Sequence, residues 1–213
     1  MIQDLSDLRE EYAAAELTEA TIDPNPFLQF EKWFDEARKA ELSEPNAMIL
    51  ATVDGDGKPW TRTVLLKAFD ERGLVFYTNY ESAKCSQLKS VNKVSVTFPW
   101  FPIQRQVHVT GTTERISAQQ SLQYFLSRPY KSQLGAWVSD QSKVISSRQV
   151  LEMKFAEMKR KFAEGKVPLP DHWGGIRILP ETFEFWQGRR SRLHDRLRFT
   201  RENNTWSLHR LAP

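Results

Sequence analysis

Between residues 47 and 78 the chain alternates strand-length runs with tight turns. It reads AMILATV (47–53), DGDG (54–57), PWTRTVLLKAF (59–69), DERG (70–73) and LVFYT (74–78). Short connections rich in Asp and Gly suit hairpins. A connection that short cannot carry the crossover that parallel pairing needs. Further strands are expected at VSVTF (94–98) and RQVHVTGTTERI (105–116), then through IRIL, FEFW, DRLRFTR and TWSLHRL, with Asn203-Asn204 as a hairpin turn. Helices are expected where the period lengthens. One begins at Phe27 after the breaker ATIDPNP, with Phe27, Phe30 and Phe34 on one face. Another starts after Ser82 as N-cap. Two more cover 118–127 and 148–163, the second with Leu151, Phe155, Met158 and Phe162 in register. No βαβ rhythm and no glycine fingerprint of the Rossmann or P-loop type is present. The expected class is α+β, an antiparallel barrel or sheet with flanking helices. Residues 1–20 read as a short acidic helix and a loose connection, ahead of a single domain over 21–213.

The chain has 213 residues, enough for one sizeable core. Its net charge of +3, from 30 basic and 27 acidic residues, lacks the bias of a nucleic-acid binder. A single cysteine, Cys85, excludes an intrachain disulfide and fits a reducing compartment. No apolar run is long enough to span a bilayer, and MIQDLSDLREEY has no signal-peptide core. A cytoplasmic protein is expected, without membrane or nucleic-acid partners. The four histidines, 108, 172, 194 and 209, form no HxxxH or HxH pair, so no metal site is expected. There is no GxSxG elbow.

Five segments mix cations with aromatic and polar side chains: RTVLLK (62–67), FYTNYESAK (76–84), RQVHV (105–109), YFLSRPYKSQLGAWVSDQS (124–142) and WQGRRSRLHDR (186–196). Any one of them could be a solvated edge. Together, Arg and Lys interleaved with Ser, Thr, Gln and Tyr suit phosphate oxygens and polar ring edges. Lys84 falls in the first turn after Ser82, where a cation opposes the helix dipole unless an anion joins it. Pro129 holds Arg128 extended, which either fixes where it points for a binding site or simply terminates a helix. Arg62 and Lys67 differ in parity, so an ideal strand would put them on opposite faces. Either a bulge intervenes or one of them reaches around the strand end.

These residues carry a pattern. RTVLLK, FYTN-x-ES-x-K, FPW…RQV, YF-x-SRP-x-xSQ-x-GAWVS-x-QS, VPLP…WGG, FWQG…RLHDR and the terminal RLAP resemble the pyridoxine (pyridoxamine) 5′-phosphate oxidase family, in its order, from about Leu8 to Pro213. The resemblance implies an FMN-binding split β-barrel and a homodimer with two FMN sites at the subunit interface. It implies oxidation of pyridoxine or pyridoxamine 5′-phosphate to pyridoxal 5′-phosphate. Hydride passes from C4′ to flavin N5, dioxygen becomes hydrogen peroxide, and the amine releases ammonia. By matching positions, Arg62, Thr63, Val64, Leu65, Leu66 and Lys67 would line FMN. Tyr77, Thr78, Lys84 and Gln106 would add contacts from the same subunit. Gln141, Ser142, Trp186 and Arg196 would come from the partner. Lys67, Tyr124, Arg128 and Ser132 would hold the substrate phosphate, and Arg192 and His194 would lie over the pyridine ring as the catalytic pair. Arg9 and Tyr12 match a segment that closes on the substrate. Of the arginines in WQGRRSRLHDR, Arg192 and Arg196 would be the working ones, with Arg189 and Arg190 solvated.

Two positions depart from the family pattern. Ala83 stands where an arginine usually precedes the lysine, so one FMN-phosphate contact is missing or supplied by another group. Glu10 stands where a basic residue is common. Two other classes compete: a split-barrel protein that holds FMN or pyridoxal phosphate without turnover, and an RNA-binding β-domain that uses FYTNY and VTFPWF for stacking. The small net charge opposes the second.

Overall fold

The computed structural model describes residues 12, 16–163, 165–203 and 205–213. Arg9, Glu10 and most of the helix expected over 1–20 lie outside the described residues. The elements in chain order are α1 (Pro26–Lys39), β1 (Ala47–Val53), β2 (Pro59–Leu65), β3 (Ala68–Asp70), β4 (Gly73–Asn79), α2 (Ala83–Ser90), β5 (Val94–Trp100), β6 (Arg105–Arg115), α3 (Ala118–Ser127), α4 (Tyr130–Val138), α5 (Arg148–Lys161), β7 (Trp173–Gln187), β8 (Asp195–Glu202) and β9 (Thr205–Arg210). Hydrogen bonding links the strands in the order β2-β1-β5-β6-β7-β4-β3, with β8 on β7 and β9 on β8. No helix among the described residues is long and apolar enough to cross a membrane.

The chain divides into two compact units, one of residues up to 50, 95–110 and 180–213, the other of 51–94 and 111–179. In the first, Asn25 caps α1 by accepting from Phe27 N at 2.9 Å, and Pro26 takes the first helical position. The buried face is Phe27, Phe30, Trp33 and Ala37, with Phe34 at its margin. Phe27 meets Phe183 edge-on at 5.1 Å, and Trp33 meets Phe185 at 5.3 Å. Such aromatic pairs contribute beyond the area they bury. β8 and β9 pair from Leu197↔Arg210 to Glu202↔Thr205, leaving a two-residue turn in which Asn203 is left-handed at φ 56°.

In the second unit, β4 pairs antiparallel with the first half of β7, Leu74↔Ile178 through Asn79↔Trp173. The second half of β7 belongs to the first unit and pairs β8 from Thr182 to Gln187. Pro180, which has no N–H, falls between these two ladders. Phe125, Leu134, Ala136, Val167 and Trp173 form the core beneath α3 and α4, with Phe155, Met158 and Phe162 half-buried against it. α4 was not foreseen. Its buried residues, Gln133, Leu134, Ala136 and Val138, make no clean helical stripe, and polar side chains fill the rest. The strand expected over 59–69 stops at Leu65, and β3 resumes only at Ala68.

Candidate active site

A cavity of about 850 Å³ opens in the second unit. Arg62, Thr63, Val64 and Leu65 line it from β2, and Lys67 from just beyond. In that bend the Lys67 N–H donates to the Val75 carbonyl at 2.8 Å, so Lys67 has left the β2 ladder. The parity conflict between Arg62 and Lys67 is resolved by the strand ending between them. Leu66 turns away and is buried.

Lys84 is 7% exposed. Its Nζ donates to Gln141 Oε1 at 2.8 Å, Thr78 Oγ1 at 3.0 Å and Ser82 Oγ at 3.2 Å. All three acceptors are neutral, and among the described residues no carboxylate pairs with it. Burial pushes its pKa below the ordinary lysine value. Ser82 occupies the N-cap of α2 but makes no side-chain capping bond; its hydroxyl serves Lys84 instead. Gln141 and Ser142 line the cavity that their own chain's Lys84 lines, which revises the expectation that a partner supplies them. The chain leaving α4 folds back over β4: Thr78 Oγ1 donates to Gln141 Oε1 at 3.0 Å, and Asn79 Nδ2 to the Ser139 carbonyl at 3.1 Å.

The other wall is aromatic. Tyr77 stacks on Tyr124 at 3.8 Å and on Trp173 at 5.4 Å, and all three line the cavity. Burial raises the pKa of both tyrosines, keeping them protonated donors. Arg128 is extended before Pro129 (φ −74°, ψ 148°), and its guanidinium lies 4.6 Å over the Trp173 ring. Its Nη1 is buried and has no hydrogen-bond partner among the described residues. Ser132 lines the cavity from the first turn of α4. A buried, unsatisfied guanidinium nitrogen is costly. It fits a site shaped for an anion. Asn79, Ser139 and Trp173 also line the cavity and were not foreseen, although WGG held a signal for Trp173.

Gln106, Tyr12, Trp186, Arg192, His194 and Arg196 belong to the first unit. There His194 lies 4.6 Å from Trp186, and Tyr12 meets both rings edge-on, at 5.5 Å and 5.8 Å. The Arg189 N–H donates to His194 Nδ1 at 3.1 Å, leaving the proton of a neutral imidazole on Nε2. Burial, then the nearby Arg192, lowers the His194 pKa. Arg192 itself is exposed and left-handed at φ 60°. Arg196 donates to Glu184 Oε1 at 2.8 Å and to the Ala212 carbonyl at 2.9 Å. Arg189 is not simply solvated as expected, because it pairs with Glu16 at 2.7 Å. Arg190 is exposed. Gln106 is half-buried on β6.

Two family models match the chain: "Pyridoxamine 5′-phosphate oxidase" over residues 34–162 and "Pyridoxine 5′-phosphate oxidase C-terminal dimerisation region" over 173–213. A pyridoxine/pyridoxamine 5′-phosphate oxidase of Crocosphaera subtropica is 57% identical over 99% of this chain and 100% of its own. Its counterpart in Aliarcobacter butzleri is 54% identical over the same shares. Among solved structures, PhzG from Burkholderia lata, in complex with tetrahydrophenazine-1-carboxylic acid, superposes with a TM-score of 0.87 at 27% identity, over 94% of this chain and 99% of that one. A pyridoxamine 5′-phosphate oxidase-related, FMN binding protein from Nostoc punctiforme shares the fold, with a TM-score of 0.69 at 17% identity over 90% of this chain and 100% of that one. The fold is the α+β split β-barrel, and the chain belongs to the pyridoxamine 5′-phosphate oxidase family.

Proposed function

We propose that this protein is an FMN-dependent oxidase that converts pyridoxine 5′-phosphate or pyridoxamine 5′-phosphate to pyridoxal 5′-phosphate. The observation that carries the reading is one cavity lined by two cations, the buried Lys84 and the half-buried Arg128 with its Nη1 buried, neither paired with a carboxylate among the described residues. Two phosphate-bearing ligands would meet there, and each needs cations to offset their repulsion. Arg62 and Lys84 would take the cofactor phosphate, with Thr63, Val64, Leu65, Lys67, Tyr77, Thr78, Gln141 and Ser142 around the flavin. Lys67, Tyr124, Arg128 and Ser132 would take the substrate phosphate.

Bound there, FMN would supply a two-electron acceptor for substrate oxidation, with dioxygen as the final acceptor. The chain's own groups do the rest. Arg128, fixed by Pro129 and by its ring contacts, sets the distance from phosphate to reacting carbon. The Tyr77–Tyr124–Trp173 stack gives a flat, water-excluding wall. Arg192 is a permanent cation and donor fork, not a base. His194 presents Nε2–H as a donor to the substrate ring. Gln106 would add a flavin contact, and in the proposed homodimer Trp186 and Arg196, with Arg192 and His194, complete the site, and Tyr12 closes it. A cytoplasmic setting agrees with Cys85, buried and unpaired.

The test is direct. Purified protein should carry flavin absorbance and form peroxide with pyridoxine 5′-phosphate. A flavin-loaded protein that forms none with either phosphorylated substrate would overturn the reading.

A further inference from the structure

Arg62 is held by two side chains that the mechanism above does not use. Its Nη1 donates to Thr52 Oγ1 at 2.5 Å and its Nη2 to Gln87 Oε1 at 2.9 Å. Thr52 Oγ1 in turn donates to Gln87 Oε1 at 2.7 Å. Side chains from β1, β2 and α2 thus close a ring of three hydrogen bonds. Thr52 is 1% exposed and Gln87 8%, and neither lines the cavity, whereas Arg62 does.

The chemistry of the two acceptors is the informative part. A carboxylate in either place would hold the guanidinium more tightly. It would also cancel the charge. A hydroxyl and an amide oxygen fix the direction of the planar fork and leave its charge in place. Gln87 also follows Lys84 by three residues on α2, on the same helical face. One short helix therefore supplies a cavity cation and half of the clamp on another.

We infer that Thr52 and Gln87 are positioning residues, which orient Arg62 toward the cofactor phosphate without neutralising it. The inference rests on the flavin reading above. It predicts that the ring matters for the phosphate and not for the isoalloxazine, so FMN and riboflavin should respond differently.

The experiment titrates FMN and riboflavin into flavin-stripped, full-length protein by fluorescence quenching, with melting temperatures in parallel. Thr52→Val and Gln87→Leu should each weaken FMN by about tenfold, the loss expected for one or two charged hydrogen bonds, and change riboflavin by less than about twofold. Thr52→Ser, which keeps the hydroxyl, should restore FMN affinity. Gln87→Glu separates positioning from packing. It is isosteric and pairs with Arg62, so the melting temperature should hold or rise while FMN alone binds more weakly. An unchanged preference for FMN over riboflavin in Gln87→Glu and in the folded apolar variants would overturn the inference. A wild type with no such preference would instead overturn the cofactor reading, and this inference with it.

Discussion

Lys84 Nζ donates to Gln141 Oε1 at 2.8 Å, joining side chains 57 residues apart around a cation held only by neutral acceptors. Burial lowers the Lys84 pKa below its ordinary 10.5. Only the ammonium form attracts a phosphate, so FMN affinity should fall as pH rises through that lowered value. Bound phosphate raises the value again, and FMN binding should take up a proton in the same window. The Lys84 contribution to stability of the flavin-free protein has the opposite sign. Between the lowered pKa and 10.5 the unfolded chain binds more protons than the folded one, so that contribution grows with pH. Titrations of FMN from about pH 7 to 10 should show the loss, and Lys84→Arg should flatten it. A pH-independent affinity in the wild type would mean that Lys84 does not meet the phosphate.

Ala83 lines the cavity as the first residue of α2, immediately before Lys84. Ala83→Arg would bring a guanidinium to the same edge. A hydrogen bond to a charged group contributes about 1.5–3 kcal/mol before screening and side-chain ordering reduce it. FMN should bind about threefold to tenfold more tightly, read in the same titration. Unchanged affinity would mean that the phosphate is already satisfied by other groups.

Much of this site was legible in sequence because its residues come in short runs. RTVLLK places four lining residues on β2 and a fifth just beyond it, FYTN places three on β4, and SRP places two at the α3–α4 junction, where the Pro after Arg128 restricts its backbone. What could not be read lies in the long-range closures. Thr52 looks like an ordinary strand threonine, and Gln87 like a solvated helix residue; only folding brings both to Arg62. Gln141 reads equally well as a partner's residue, since nothing local says that the chain after α4 turns back over β4. Arg189 reads as solvated in sequence, and its partner Glu16 lies 173 positions away. The end of β2 was hidden by an apolar run, LL, that continues past the last ladder bond.

Gly175 is required by packing. A Cβ there would overlap Ile116 Cδ1 and come within 3.0 Å of Tyr77 Cε1. Gly175 pairs with Tyr77 across the β4–β7 ladder, so the clash falls on the first ring of the aromatic wall. Gly175→Ala should destabilise the protein by about 1–3 kcal/mol. Melting curves check the stability. Weakened binding of substrate phosphate in the folded fraction would follow from a displaced Tyr77–Tyr124 stack. A melting temperature equal to wild type would show that Ile116 and Tyr77 yield at no cost.

Arg192 and His194 give the most direct test of the oxidation itself. His194 is fixed on Nδ1 by the Arg189 N–H and braced by Trp186 and Tyr12, so its Nε2–H can only donate. Burial, then the nearby Arg192, lowers its pKa and favours the neutral ring, which suits the proposed orienting task. Arg192, two residues before His194, is exposed on a left-handed backbone. A misplacement of about 1 Å in a reacting pair can cost roughly a hundredfold in rate. Arg192→Met should therefore lower kcat/KM for pyridoxine 5′-phosphate by about that factor while flavin content stays near wild type. His194→Asn keeps a donor and should lose less. If His194 served as a base, its variant would lose the acid limb of the pH profile and fall at least as far as Arg192→Met. Steady-state kinetics on flavin-saturated variants separates the cases, and a wild-type kcat/KM for Arg192→Met would remove the segment from the active site.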